Sequence, residues 1–218
     1  MDNQRQFTTG SEVSERILET AESLFARKGF AVSLREITAA ADVNVAAVNY
    51  YFGSKTQLTE AVFDRLSLRV NSERLAALEE LISSAKNGTR KVEVRDIVKV
   101  FVRPYIYPAE KGQLLARLIL QHRIERSALT STIIQRHFDP MAAKFIEALS
   151  HAAGAPQPKS FYWRYVFMVG AIVLTVTDVG PNSRLERLSD GSMDAGLDAM
   201  EKEIVDFLVG GMTATSSG

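Results

Sequence analysis

The chain has 218 residues, 46% of them hydrophobic and 24% charged, and its formal net charge is zero. This is an ordinary globular composition, long enough for one large domain or a small one joined to a larger one. With no cysteine it excludes a disulfide framework, a zinc–thiolate site and a thiol nucleophile. The balanced charge runs mildly against a nucleic-acid binder, for which a basic patch is expected.

Met1 to Gly10 is polar, lacks the apolar segment of a signal peptide, and reads as loose chain from which Arg5 could reach a groove. Thr9 or Ser11 caps a first helix in which Val13, Ile17, Ala21, Leu24 and Phe25 recur at helical spacing. Gly29 suits the left-handed position that ends a helix, and Phe30 can fold back on Phe25. Ser33 with Glu36 then forms a capping box, flanked by the staple pair Val32 and Ile37. A short helix follows from Leu34 to about Ala41, interrupted at Asp42-Val43. Asn44 caps a second short helix ending near Phe52 at Gly53. Ser54 and Gln57 cap what comes next.

Two short helices joined by a tight turn are the helix-turn-helix pattern, whose second helix can enter a DNA major groove. Val48 and Phe52 point inward, leaving Val45, Ala46, Ala47, Asn49, Tyr50 and Tyr51 outside. Small residues followed by an amide, two hydroxyls and the Lys55 ammonium suit close approach to base edges and then to phosphates. Ser33, Arg35 and Asn44, at the starts of the two helices, complete the candidate DNA-binding set. Residues 1–55 carry six basic side chains (Arg5, Arg16, Arg27, Lys28, Arg35, Lys55) against seven acidic ones. Few phosphate contacts and a modest salt dependence are therefore expected.

The run Ile17 to Lys55 resembles the N-terminal domain of TetR-type transcriptional regulators. It supplies that pattern's Phe25, Gly29, Phe30, Ser33, Ile37, Ala41, Val43, Val48, Tyr50, Phe52, Ser54 and Lys55. Asp42 replaces the usual turn glycine, Asn44 a serine, Ala46 a glycine and Asn49 a tyrosine. Aspartate tolerates a left-handed backbone, so the turn survives. The changes at Ala46 and Asn49 alter the reading surface, and with it the operator sequence. The resemblance implies a homodimer that binds a double-stranded DNA operator and a small-molecule effector.

Beyond Ser54 a long helix reaches about Ala85, with Leu58, Val62, Leu66, Leu75, Leu78 and Ile82 as its apolar stripe. Lys86 to Lys91 is a loop. Helices are predicted over Val94–Tyr105, Glu110–Arg126 and Leu129–Ala152, the last broken or kinked at Asp139-Pro140. A loop at Gly154–Pro158 precedes a helix over Ser160–Thr177 that is apolar almost all round and so reads as buried. Its run Tyr165–Val176 is short of the roughly 20 residues needed to cross a bilayer, so no membrane partner is expected. Asp178–Gly191 is a loop, Met193–Met212 the last helix, and Thr213–Gly218 a disordered tail.

His122, His137 and His151 are too far apart in sequence to form a metal pair on one helix face, and no nucleophile elbow or phosphate loop occurs. An enzyme, a cofactor and a metal are therefore not expected. Phe101, Tyr105, Leu118, Phe145, Trp163, Phe167 and Met168 form an aromatic-rich set that ordinarily reads as core. The TetR resemblance makes it an effector site instead, with Arg103, His122, Arg123 and Arg164 to anchor an anionic end. Phe161 to Ala171 resembles the subgroup that responds to fatty-acyl or similar compounds, so a fatty-acyl or aromatic acid is the expected effector.

The sequence thus reads as an all-α, cytoplasmic, ligand-responsive repressor. Residues 1–55 are the DNA-binding domain and 56–212 the effector and dimer domain. The alternative is a helical ligand-binding or enzymatic protein whose helix-turn-helix is structural only.

Overall fold

The computed structural model describes residues 2–88, 91–155, 159–179, 183–194 and 196–214, and among them every regular element is helical. The packing divides into two units, Met1–Leu66 and Ser67–Gly218.

The first unit holds α1 (Asp2–Lys28), α2 (Leu34–Ala40), α3 (Val45–Phe52) and the start of α4 (Lys55–Asn87). Local chemistry sets each boundary. Gly29 takes φ 74° and its amide donates to the Phe25 carbonyl at 2.9 Å, while Phe30 lies edge-on to Phe25 with centroids 5.6 Å apart. The Ser33 capping box is complete: the Glu36 amide donates to Ser33 Oγ at 3.2 Å and the Ser33 amide to Glu36 Oε2 at 2.9 Å. Asp42 turns the chain at φ 51°, and Asn44 Oδ1 accepts from the Ala47 amide at 2.8 Å to start α3. Gly53, at φ 78°, stops it. Ile17, Ala21, Phe25, Ile37, Val48 and Leu58 are the buried centre.

The second unit continues with α5 (Val94–Ile106), α6 (Ala109–Ile124), α7 (Ala128–Ile133), α8 (Asp139–Ala152), α9 (Lys159–Thr177), α10 (Arg184–Leu188) and α11 (Leu197–Thr213). α5 is the hub, packed against α6, α8, α9 and α11. Gly112 sets how closely α6 approaches it: a β-carbon there would collide with the Tyr105 carbonyl, so no other residue lets the two backbones meet. The break expected at Asp139-Pro140 is a π-helical turn, Ile134–Phe138, running into α8, with Pro140 in the first turn where its missing amide costs nothing.

Several expectations change. α1 begins at Asp2 rather than behind a cap at Thr9 or Ser11. An N-cap is worth only about 1 kcal/mol, too little to fix where a helix starts. α5 keeps its expected start and ends one residue later, at Ile106. The expected loop Asp178–Gly191 contains α10, started by Ser183 Oγ accepting from the Glu186 amide at 3.1 Å. The last helix starts at Leu197, not Met193. Parts of the loops expected at 86–91, 154–158 and 178–191, and the tail from 215 onward, lie outside the described residues. The largest correction concerns α9, which is not buried all round. It buries Phe161, Met168, Ile172, Val173 and Val176 but exposes Tyr162, Trp163, Val166, Phe167 and Leu174. At 19 residues and mean hydropathy 1.3 it is also long and apolar enough, by length and composition alone, to cross a membrane.

Candidate nucleic-acid interface and interior ring cluster

α3 is eight residues long, too short to be stable on its own, and one buried side chain, Val48, seats it. Its remaining surface faces outward. Val45, Ala46 and Asn49 are exposed, Tyr50 is 82% exposed, and Ala47, Tyr51 and Phe52 are half-buried. The Tyr50 and Tyr51 rings meet edge-on at 4.9 Å. Arg35 is exposed in the first turn of α2.

Three other residues of the expected DNA-binding set already carry structural bonds. Ser33 and Asn44 spend their side-chain oxygens on the caps. Lys55 Nζ donates to the Phe30 carbonyl at 2.6 Å, tying the start of α4 to the loop after α1. An ammonium has three donors, so this bond does not exhaust it. Arg16 Nε donates to the Ala41 carbonyl at 2.9 Å, and Arg65 pairs with Glu15 at 2.8 Å and Glu19 at 3.2 Å. These hold α1 against α2 and α4, so the acidic side chains of α1 are partly neutralised within the unit. Glu36 is held down at about 2, first by the Ser33 amide, then by the Ser33 hydroxyl and Lys28.

In the second unit, Phe101 sits edge-on to Phe145 at 5.1 Å and to Tyr165 at 5.7 Å, with Tyr105 tilted at 6.3 Å. Phe101, Tyr105 and Phe145 are closed off from solvent; Tyr165 is half-buried. A fully buried arginine from α4, Arg74, stacks on this cluster, its guanidinium carbon 4.6 Å from the Phe101 centroid and 4.4 Å from that of Tyr105. Burial pushes the Tyr165 phenol up, keeping it neutral. A cleft of about 580 Å³ opens between α4, α5 and α8, with Leu78, Ile82, Ile97 and Ala148 in its lining and Glu79, Lys144 and Glu147 beside them.

Comparison with known proteins identifies the assembly. The family model for bacterial regulatory proteins of the tetR family matches residues 17–62, which span the helix-turn-helix. A second, the tetracyclin repressor-like C-terminal domain, matches residues 99–211, which carry the ring cluster. The chain belongs to the TetR family. It is 44% identical over 64 residues to the HTH-type transcriptional regulatory protein RaaS of Mycobacterium tuberculosis, covering 29% of this chain and 30% of that one. It is 51% identical over 47 residues to the probable HTH-type transcriptional regulator YttP of Bacillus subtilis, covering 21% and 23%. These matches thus span less than a third of either relative. Two solved structures share the fold over most of their length. The fatty acid degradation regulator FadR from Bacillus halodurans has TM-score 0.63 at 16% identity, covering 91% of this chain and 95% of that one. A putative transcriptional regulator from Saccharomonospora viridis, in complex with choline, has TM-score 0.66 at 16% identity, covering 91% and 96%.

Within this TetR-family chain the expected effector residues separate into two groups. Phe101, Tyr105, Leu118, His122, Phe145 and Met168 are buried. His122 Nδ1 lies 2.8 Å from Thr130 Oγ1, and burial, with Arg123 and Arg126, lowers its pKa. The other five face elsewhere. Trp163 and Phe167 stack on each other on the exposed side of α9. Arg164 donates to the Met212 and Ala214 carbonyls, fastening α9 to the end of α11. Arg103 is exposed beside the Tyr107 ring, and Arg123 is exposed on α6. Sequence reasoning missed Arg74, and a signal was present. Leu58, Val62, Leu66, Val70, Leu78 and Ile82 recur at intervals of four along α4, and position 74 of that series is the arginine.

Proposed function

We propose that the chain is a homodimeric transcriptional repressor. It reads a two-fold symmetric DNA site through α3 and releases it when a small, largely apolar effector binds the helical unit. The observation that carries this reading is the outward face of α3, where Ala46, Asn49 and the 82%-exposed Tyr50 stand free of the core. Ala46, Ala47 and Asn49 face base edges, while Tyr50, Arg35 and Lys55 reach phosphates. One eight-residue helix offers too little contact for a specific site, so two copies are needed, reading half-sites about 34 Å apart or a multiple of that. The exposed apolar side of α9 and Phe207 of α11, 70% exposed, supply a surface on which a second copy can pack. α4 is one unbroken helix from Lys55 to Asn87, so it can transmit a change between effector and reading helix. The place of action is the cytoplasm, where the operator is.

Gel shifts and footprinting on the DNA upstream of the chain's own coding sequence test the reading. Asn49→Ala changes the preference among half-site sequences. Tyr50→Ala and Arg35→Ala weaken binding to all of them alike, and Arg35→Ala, which removes a charge, also lowers the salt slope by about 1. Unchanged operator affinity in both phosphate-contact variants, at physiological salt, overturns the assignment.

A further inference from the structure

The interior of the second unit contains a stripe of hydrogen-bond donors with nothing to donate to. Ser67, Asn71 and Arg74 lie at i, i+4 and i+7 on α4, on one face of the helix. They are 0%, 3% and 1% exposed. Arg74 Nη1 donates to Asn71 Oδ1 at 3.0 Å and its Nε to the Phe101 carbonyl at 3.2 Å. Its Nη2, the Asn71 Nδ2 and the Ser67 Oγ are buried and have no partner among the described residues. No described carboxylate forms an ion pair with the guanidinium; its charge rests on the faces of Phe101 and Tyr105. Buried polar atoms are nearly always paired, and a buried arginine ordinarily has a carboxylate or phosphate partner. A chain that retains three such donors in line, inside an apolar wall, is complementary to an anion it does not itself supply.

We propose that Ser67, Asn71 and Arg74 bind the carboxylate of an amphipathic monocarboxylic acid, which is the effector of this regulator. The proposal rests on the effector-responsive reading above and names the ligand's chemistry. A planar carboxylate matches the free Nη2 edge of the guanidinium, with the amide and hydroxyl as further donors to its oxygens. The size of the apolar part follows from the cleft. Leu78 and Ile97, in its lining, are each four residues, one helical turn, from Arg74 and Phe101, and Ala148 is three from Phe145. The next helical turn of each wall, about 5 Å along its helix, thus carries Arg74, Phe101 or Phe145. A volume of about 580 Å³ is in the range of small-molecule sites. The acid's head reaches Arg74 between the rings, and its chain fills the cleft.

The test uses the full-length protein without DNA, in thermal-shift and calorimetric titrations with octanoate and phenylacetate and with their neutral amides. Octanoate or phenylacetate raises the melting temperature and binds more than about tenfold tighter than the matching amide, as expected for a charge-assisted pair. Arg74→Met loses that preference but still binds the neutral amides as the native chain does, which separates a lost charge pair from a lost fold. Should Arg74→Met fail to fold, Asn71→Leu and Ser67→Ala remove donors without touching the charge and weaken carboxylate binding. Ala148→Trp fills the cleft and weakens octanoate more than acetate. Equal binding of acid and amide, no binding of either acid, or full binding in the donor variants overturns the proposal and leaves Arg74 as a structural brace for Phe101. Operator binding is measured on the same preparations. Its loss with carboxylate binding intact removes the repressor reading alone, and the reverse removes the carboxylate site alone.

Discussion

Val48→Ala is the sharpest test of how the reading helix is held. Val48 is fully buried and is the buried residue of α3. Deleting its two terminal methyls removes about 0.8 kcal/mol each of transfer energy. The cavity left behind brings the cost to about 2–3 kcal/mol. An eight-residue helix has little stability of its own to absorb this. The Asn44 cap, worth about 1 kcal/mol, is the other local restraint. In a unit the size of Met1–Leu66, 1 kcal/mol shifts the midpoint by about 4–8 °C, so a fall of about 8–16 °C follows at the low end of that cost. The chain has a single tryptophan, Trp163, on α9 of the second unit. Its fluorescence follows that unit, whereas far-ultraviolet circular dichroism follows both. Val48→Ala lowers the early dichroism transition and operator affinity together and leaves the Trp163 transition in place. Asn44→Ala produces roughly half the shift. An unchanged early transition, or equal shifts in both probes, would refute the idea that α3 is seated locally by this one side chain.

Two further predictions concern assembly and acid. Phe207 is 70% exposed, so Phe207→Glu costs the protomer little and converts a dimer to folded monomers by sedimentation. Ile172→Glu, at a fully buried position of α9, gives insoluble protein instead; a native chain already monomeric at micromolar concentration defeats the dimer. Glu36 is held at about 2 in the fold against 4.5 for the free side chain. A depressed carboxylate contributes stability that is present above 4.5 and is lost as pH falls toward 2. Urea midpoints of the first unit followed from pH 6 downward should therefore drop through that window in the native chain and more shallowly in Glu36→Gln. Matching slopes would show that the Ser33 bonds do not govern its titration.

Several features of this protein follow from residues within five positions of one another, and these were legible in the sequence. The Ser33–Glu36 box, the Asn44 cap, the Phe25–Phe30 fold-back at Gly29 and the left-handed Asp42 each close through a bond or contact between near neighbours. Spacing alone specifies such contacts, because the intervening chain has no room to place them otherwise. They set the ends of the two short helices of the helix-turn-helix, which is why these emerge close to their expected limits. Tertiary structure decided what distance in the chain hides. The apolar face of α9 that carries Trp163 and Phe167 is as hydrophobic as the face that carries Met168 and Ile172. Only the positions of α5, α6, α8 and α11 determine which of the two is covered. The same holds for the interior cations. Arg103, Arg123, Arg164 and Arg74 look alike along the chain, and it is the packing of α5 over α4 that buries Arg74 and leaves Arg103 in solvent. Burial is a property of the partner element, and a single strand of sequence names its own faces but not the neighbour that will cover them.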